Sequence, residues 1–114
     1  MPPKKNPLHL NPLQLRTLTL LQALAQLPEH GHPGDEPGTM RVSNMPHPHG
    51  DHFHLGDAAV AARDATGLFN PAVWVALERK GLIRSAFPLE ALLTEAGLAY
   101  DTGLAESLLH RANH

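Results

Sequence analysis

The stretch GDAAVAARDATGLFNPAVWVALERKGLI, from Gly56 to Ile83, decides how this chain is read, because its punctuation divides it into two short helices with a turn between them. Ala58, Ala59, Ala61, Ala62 and Arg63 are strong helix formers, and Asp57 stands where an N-cap would satisfy the first orphan amides. The expectation is a helix over roughly 58–66, closed by Gly67, since glycine takes the left-handed backbone with which many helices end. Asn70-Pro71 restarts a helix: asparagine caps, and proline at the first helical position lacks an N–H where none is needed. Val73, Ala76 and Leu77 fall on one face of this second helix, which runs to Lys80 and stops at Gly81.

Ala65-Thr66-Gly67-Leu68, then Leu77-Glu78-Arg79-Lys80-Gly81-Leu82-Ile83, and further on Leu93-Thr94-Glu95-Ala96-Gly97, resemble the winged-helix regulators of the MarR type over roughly residues 55–102. The resemblance implies a positioning helix at 58–66, a recognition helix at 71–80, a strand from Leu82 to Arg84, a wing over 85–90 and a returning strand ending near Thr94. The expected fold class is therefore mainly α with a small β component: a winged helix-turn-helix with an N-terminal helix, a β-hairpin wing and a C-terminal helix. Two features depart from the family pattern. The wing holds no Lys or Arg, and the recognition helix carries the apolar residues Trp74 and Val75.

The 114 residues allow one domain with a modest core, one that a dimer partner would help to complete. Hydrophobic residues make up 42 % but aromatics only 4 %, so the core must come from Leu, Ala and Val, which favours helices. A net charge of −2 gives no general attraction to nucleic acid or to an anionic membrane. No cysteine is present, which excludes disulfides and thiolate chemistry and leaves the cytoplasm as the default compartment. The apolar run after Lys4 and Lys5 is broken by Gln14, Arg16, Thr17, Thr19 and Gln22, so neither a signal peptide nor a membrane span is expected.

Residues 1–10, with three prolines and two lysines, read as a frayed arm, with weak phosphate contact from Lys4 and Lys5 as the functional alternative. The single domain then covers 11–114. Asn11-Pro12 starts a long amphipathic helix through Leu13, Thr17, Leu20, Leu24 and Leu27, ended by Pro28. Leu15, Leu18 and Leu21 widen its apolar surface, which serves either a dimer interface or a broad core face. Residues 28–38 read as a loop without core contribution, and 39–55 as a hairpin whose second arm pairs with the wing. Thr94 can cap a final helix carrying Leu98, Leu104 and Leu108, weakened by Gly103, while PLEALL at 88–93 reads as strand or helix start.

Nine histidines is a high count, and MPHPHGDHFHL places His47, His49, Asp51 and His52 in the order H-x-H-x-D-H. That order resembles the metal motif of the metallo-β-lactamase superfamily, which implies zinc held by the first two histidines and a second zinc by the aspartate and third histidine. Too little chain follows His52 for the four-layer sandwich of about 200 or more residues in which the motif works. The expectation is an exposed metal-free turn, with a zinc site on these four residues as the alternative. Extended chain would also pair His47 with His49, and His52 with His54, since residues i and i+2 point the same way.

No P-loop, dinucleotide fingerprint or nucleophile elbow is present, so an enzyme is not expected. The leading expectation is a dimeric transcriptional regulator binding double-stranded DNA, with Asn70 and Trp74 on the recognition surface and Arg63, Arg79, Lys80 and Arg84 near the backbone. The alternatives are a protein-interaction module using Trp74, Val75 and Phe87, and a small His-rich metal protein. No cofactor is required beyond that possible zinc.

Overall fold

A computed structural model describes residues 6–48, 50–108 and, for the backbone alone, 110–111. Helix α1 (Pro12–Ala25) is followed by strands β1 (Gly31–Pro33), β2 (Met40–Ser43), β3 (His52–Leu55) and β4 (Ala58–Ala61). Two 3₁₀ turns (Ala62–Asp64 and Thr66–Phe69) lead into α2 (Pro71–Arg79), strands β5 (Ile83–Ala86) and β6 (Glu90–Leu93), the short helices α3 (Glu95–Ala99) and α4 (Ala105–Leu108), and β7 (His110–Arg111). The strands form two antiparallel sheets, in the orders β1-β2-β6-β5 and β3-β4-β7.

This is an α+β fold, and the mainly α class expected from the sequence is overturned. The decisive difference lies at 58–66, where strand β4 and two 3₁₀ turns replace the expected helix. Val60 is the one bulky apolar side chain among the alanines of that run, so a helix would have had no stripe to bury. As a strand it has one: Phe53 and Leu55 on β3 and Val60 on β4 are all buried, with Phe53 directly opposite Val60. Gly56, at φ +61°, takes the first place in the two-residue turn that registers the strands, a place suited to glycine in hairpin loops.

The expected hairpin at 39–55 is also corrected. Its arms do not pair with each other: β2 lies between β1 and β6, whereas β3 pairs with β4. The 28–38 loop contains β1, which adds an edge strand to β2. The 88–93 segment divides between the turn at 87–89 and strand β6 at 90–93, so β5 and β6 form a hairpin.

Helix α1 is the hub. Its start is a capping box in which Asn11 Oδ1 accepts from the Gln14 amide at 2.8 Å and Gln14 Oε1 accepts from the Asn11 amide at 3.0 Å. Leu18, Leu20, Leu21 and Leu24 are all fully buried because α2, α3, the second 3₁₀ turn and strands β1, β2 and β6 of the four-stranded sheet close around the helix. Of the three leucines offered for a dimer interface, Leu18 and Leu21 are core and Leu15 is half-buried. The helix's buried threonines are satisfied: Thr17 donates to the Leu13 carbonyl at 2.8 Å, and Thr19 donates to the Leu15 carbonyl at 2.8 Å and meets Thr102 at 2.6 Å.

The later part of the N-terminal arm is pinned rather than frayed. Leu10 is buried, the Leu8 amide donates to the Tyr100 hydroxyl, and Asn6 exchanges hydrogen bonds with the Leu10 backbone. Lys4 and Lys5 lie outside the described residues. No helix among the described residues is long and apolar enough to cross a membrane.

Candidate functional site

Helix α2 and the β5–β6 hairpin form one packed unit. Asn70 caps α2 by accepting from the Ala72 amide at 3.0 Å, and Pro71 occupies the first turn. Val73, Trp74 and Leu77 are buried, while Pro71, Ala72, Val75, Glu78 and Arg79 face outward. Two links tie the helix to the hairpin. The Trp74 and Phe87 rings meet edge to face at 5.0 Å between centroids, and Glu78 Oε2 accepts the Ser85 amide at 2.9 Å.

The six residues expected to touch DNA differ in how far they are engaged within the chain. Trp74 is a core residue: it is fully buried, and its indole N–H donates to the Gly67 carbonyl at 3.2 Å. Asn70 is engaged as the cap. Lys80 Nζ donates to the Leu8 carbonyl at 2.7 Å, and Arg84 pairs with Glu36 at 3.2 Å. Arg63 sits on the first 3₁₀ turn rather than on the helix, and it shares a shallow surface cleft with Asp51. Among the described residues, Arg79 is the outward side chain of α2 with hydrogen-bond donors and no intramolecular partner. Ala72 and Val75 offer a base edge only apolar contact, and major-groove readout depends on donors and acceptors.

The exposed large apolar side chains among the described residues are Phe69 (44 % exposed), Val75 (43 %) and Leu89 (76 %). All three fall within residues 69–89, on the approach to α2, on α2 itself and at the hairpin turn. Phe69 also stacks on Phe53 at 6.1 Å, which fixes its ring at the surface. Of the apolar residues expected at a protein interface, Val75 is exposed, Trp74 is buried and Phe87 is half-buried. Phe69 and Leu89 were missed. Leu89 carried a signal, because a large apolar side chain in a short turn runs against the usual Gly, Asn, Asp and Ser chemistry of such positions.

Three of the four residues of the histidine motif lie among the described residues. His47 is exposed in the loop before β3, Asp51 lies in the turn and His52 begins the strand, while His49 lies outside the described residues. Asp51 Oδ1 bonds His52 Nδ1 at 3.3 Å instead of sharing a ligand point with it. No group of three or more His, Asp or Glu among the described residues is arranged to hold an ion. The zinc pair implied by the H-x-H-x-D-H resemblance includes His49 and so lies partly outside the described residues. What the strand does bring together is His52 and His54, whose Nε2 atoms stand 3.2 Å apart with rings at 85°.

A separate cleft of about 380 Å³ lies between α1, the first 3₁₀ turn and α4, lined by Leu15, Arg16, Asp64, Leu104, Ser107 and Leu108 among others. The Arg16 Nε there is buried without a hydrogen-bond partner. Arg16 is the one charged residue in α1, set among leucines, which was the sequence signal for an unusual position. No protein-family model, no curated protein and no solved structure matches this chain.

Proposed function

We infer that the chain is a protein-interaction module whose docking element is α2 with the β5–β6 hairpin. The observation that carries this reading is that Phe69, Val75 and Leu89, the exposed large apolar side chains among the described residues, all belong to the segment 69–89 that leads into α2 and through the hairpin turn, where the basic side chains Lys80 and Arg84 are already engaged within the chain. Buried apolar anchors dominate protein interfaces, and a charged rim sets orientation. The partner that fits presents apolar side chains to Val75 and Leu89 and a carboxylate to Arg79. The regulator reading needs the same surface to meet phosphates and base edges, and it rests on the MarR-type resemblance of the helix and hairpin sequence.

The test is site-specific photo-crosslinking in cells with a photoreactive phenylalanine in place of Val75 or Leu89, and at exposed Gln26 as a control. Discrete protein adducts are expected from positions 75 and 89 and not from 26, and Val75→Asp should abolish the adduct formed from position 89. An adduct of twice the chain's mass would identify the partner as a second copy. Adducts to nucleic acid, or equal labelling from all three positions, would overturn the reading.

A further inference from the structure

We propose that His52 and His54 form a bidentate chelate for a divalent late first-row metal ion, Cu²⁺, Ni²⁺ or Zn²⁺, on the outer face of β3. The two side chains leave the strand on the same side, being two residues apart, and their Nε2 atoms stand 3.2 Å apart. Imidazole nitrogens bind these ions at about 2.0–2.1 Å, so two ligands of a tetrahedral centre stand about 3.3 Å from one another. The gap now spanned by one hydrogen bond is thus the gap one metal ion would span. Imidazole donors suit these three ions, and the general affinity order places Cu²⁺ tightest.

Asp51 supplies the second independent element. Its carboxylate accepts from His52 Nδ1 at 3.3 Å, which places the ring proton on Nδ1 and leaves the Nε2 lone pair directed at His54. A carboxylate behind the ligand nitrogen is the usual outer partner of a metal-binding histidine, where it fixes the tautomer and raises basicity. On metal binding the proton between the two Nε2 atoms leaves that position and His54 carries its one ring proton on Nδ1 instead, so both imidazoles bind as neutral ligands through Nε2 and neither changes net charge. The backbone beneath is rigid: Phe53 and Leu55 anchor the opposite face of the strand in the core, and β4 holds it in register. His54 is exposed and His52 half-buried, and water can take coordination positions that the two imidazoles leave.

The site differs from the one the H-x-H-x-D-H order suggests, because it uses His54 and leaves His47 out. It is also independent of the docking reading of α2. Calorimetric titration of the tag-free chain with Ni²⁺ in a non-coordinating buffer tests it, with circular dichroism confirming that each variant is folded. One ion per chain is expected. His52→Ala and His54→Ala should each weaken binding about a hundredfold, the scale on which a tethered second contact acts. Asp51→Ala should weaken it about tenfold through the lost outer contact, and His47→Ala should leave it unchanged. Metal should also raise the melting temperature of the native chain and not that of His52→Ala or His54→Ala. Equal losses in His47→Ala and His52→Ala would show an adventitious histidine-rich loop and overturn the proposal, as would single variants that bind like the native chain.

Discussion

Trp74→Ala is expected to lower stability by about 3–5 kcal/mol, a large share of the 5–15 kcal/mol that typically holds such a domain together. Trp74 is completely buried, stacks edge-on against Phe87 and donates its indole N–H to the Gly67 carbonyl. Truncation removes all three contributions at once. It leaves a cavity between α2 and the hairpin and an acceptor at Gly67 without its donor, and neither the helix nor the hairpin can close that space without breaking the Glu78–Ser85 bond. A fall in melting temperature on the order of 15 °C should follow. Trp74→Phe keeps most of the apolar contact and loses the hydrogen bond, so a loss of about 1–2 kcal/mol is expected. Thermal and urea denaturation read both. A Trp74→Ala chain as stable as the native one would place the side chain outside the core and restore it to the surface.

Gly97→Ala should be the second most damaging substitution. Helix propensity alone would make it stabilising by about 1 kcal/mol, since Gly97 lies inside α3. Close packing decides otherwise. A β-carbon at this position would overlap the Leu82 carbonyl, which is backbone and cannot rotate aside. That carbonyl also accepts from the Thr94 amide and Thr94 Oγ1, both at 3.1 Å, so moving it disturbs the junction between β6 and α3. Gln22 meanwhile holds the Gly97 carbonyl at 2.8 Å, which fixes α3 against α1. A net loss of about 3 kcal/mol is expected, the upper range for overpacking. Urea denaturation checks the sign: a stabilised variant would mean that α3 can lift away from Leu82 at little expense.

What the sequence disclosed follows from how local the chemistry is. The caps at Asn11, Asn70 and Thr94 depend on residues within three positions of each other, and each makes its hydrogen bond to the helix backbone. Strand β4 depended on something distant in kind: its alanines favour helix by fractions of a kcal/mol each, but pairing with β3 buries Val60 against Phe53 and Leu55, and that tertiary gain wins. Strand β1 has only three residues, with Gly31 and Pro33 at its ends, and composition alone gives it the character of a loop. Its strand form comes from β2 alongside it.

The candidate surface was half legible. Val75 was readable as outward because it falls off the stripe made by Val73, Ala76 and Leu77. Trp74 was the ambiguous position, one residue from that stripe, and the space between α2 and Phe87 drew it inward. Exposure of Phe69 depended on the 3₁₀ turn that replaced the expected helix end, so no periodicity could have shown it. The His52–His54 pair, by contrast, follows from the two-residue repeat of a strand once β3 is known to be one.

The measurement that bears most directly on the central claim is a fluorescence-polarisation titration of the chain against random-sequence duplex DNA at about 50 mM and about 200 mM salt. A surface built to dock protein predicts no saturation at either salt up to about 10⁻⁴ M chain, the weak end of ordinary nonspecific binding. Saturation below about 10⁻⁶ M that weakens a thousandfold between the two salts, and that Arg79→Ala removes, would contradict the account and return α2 to the role of a DNA-reading helix.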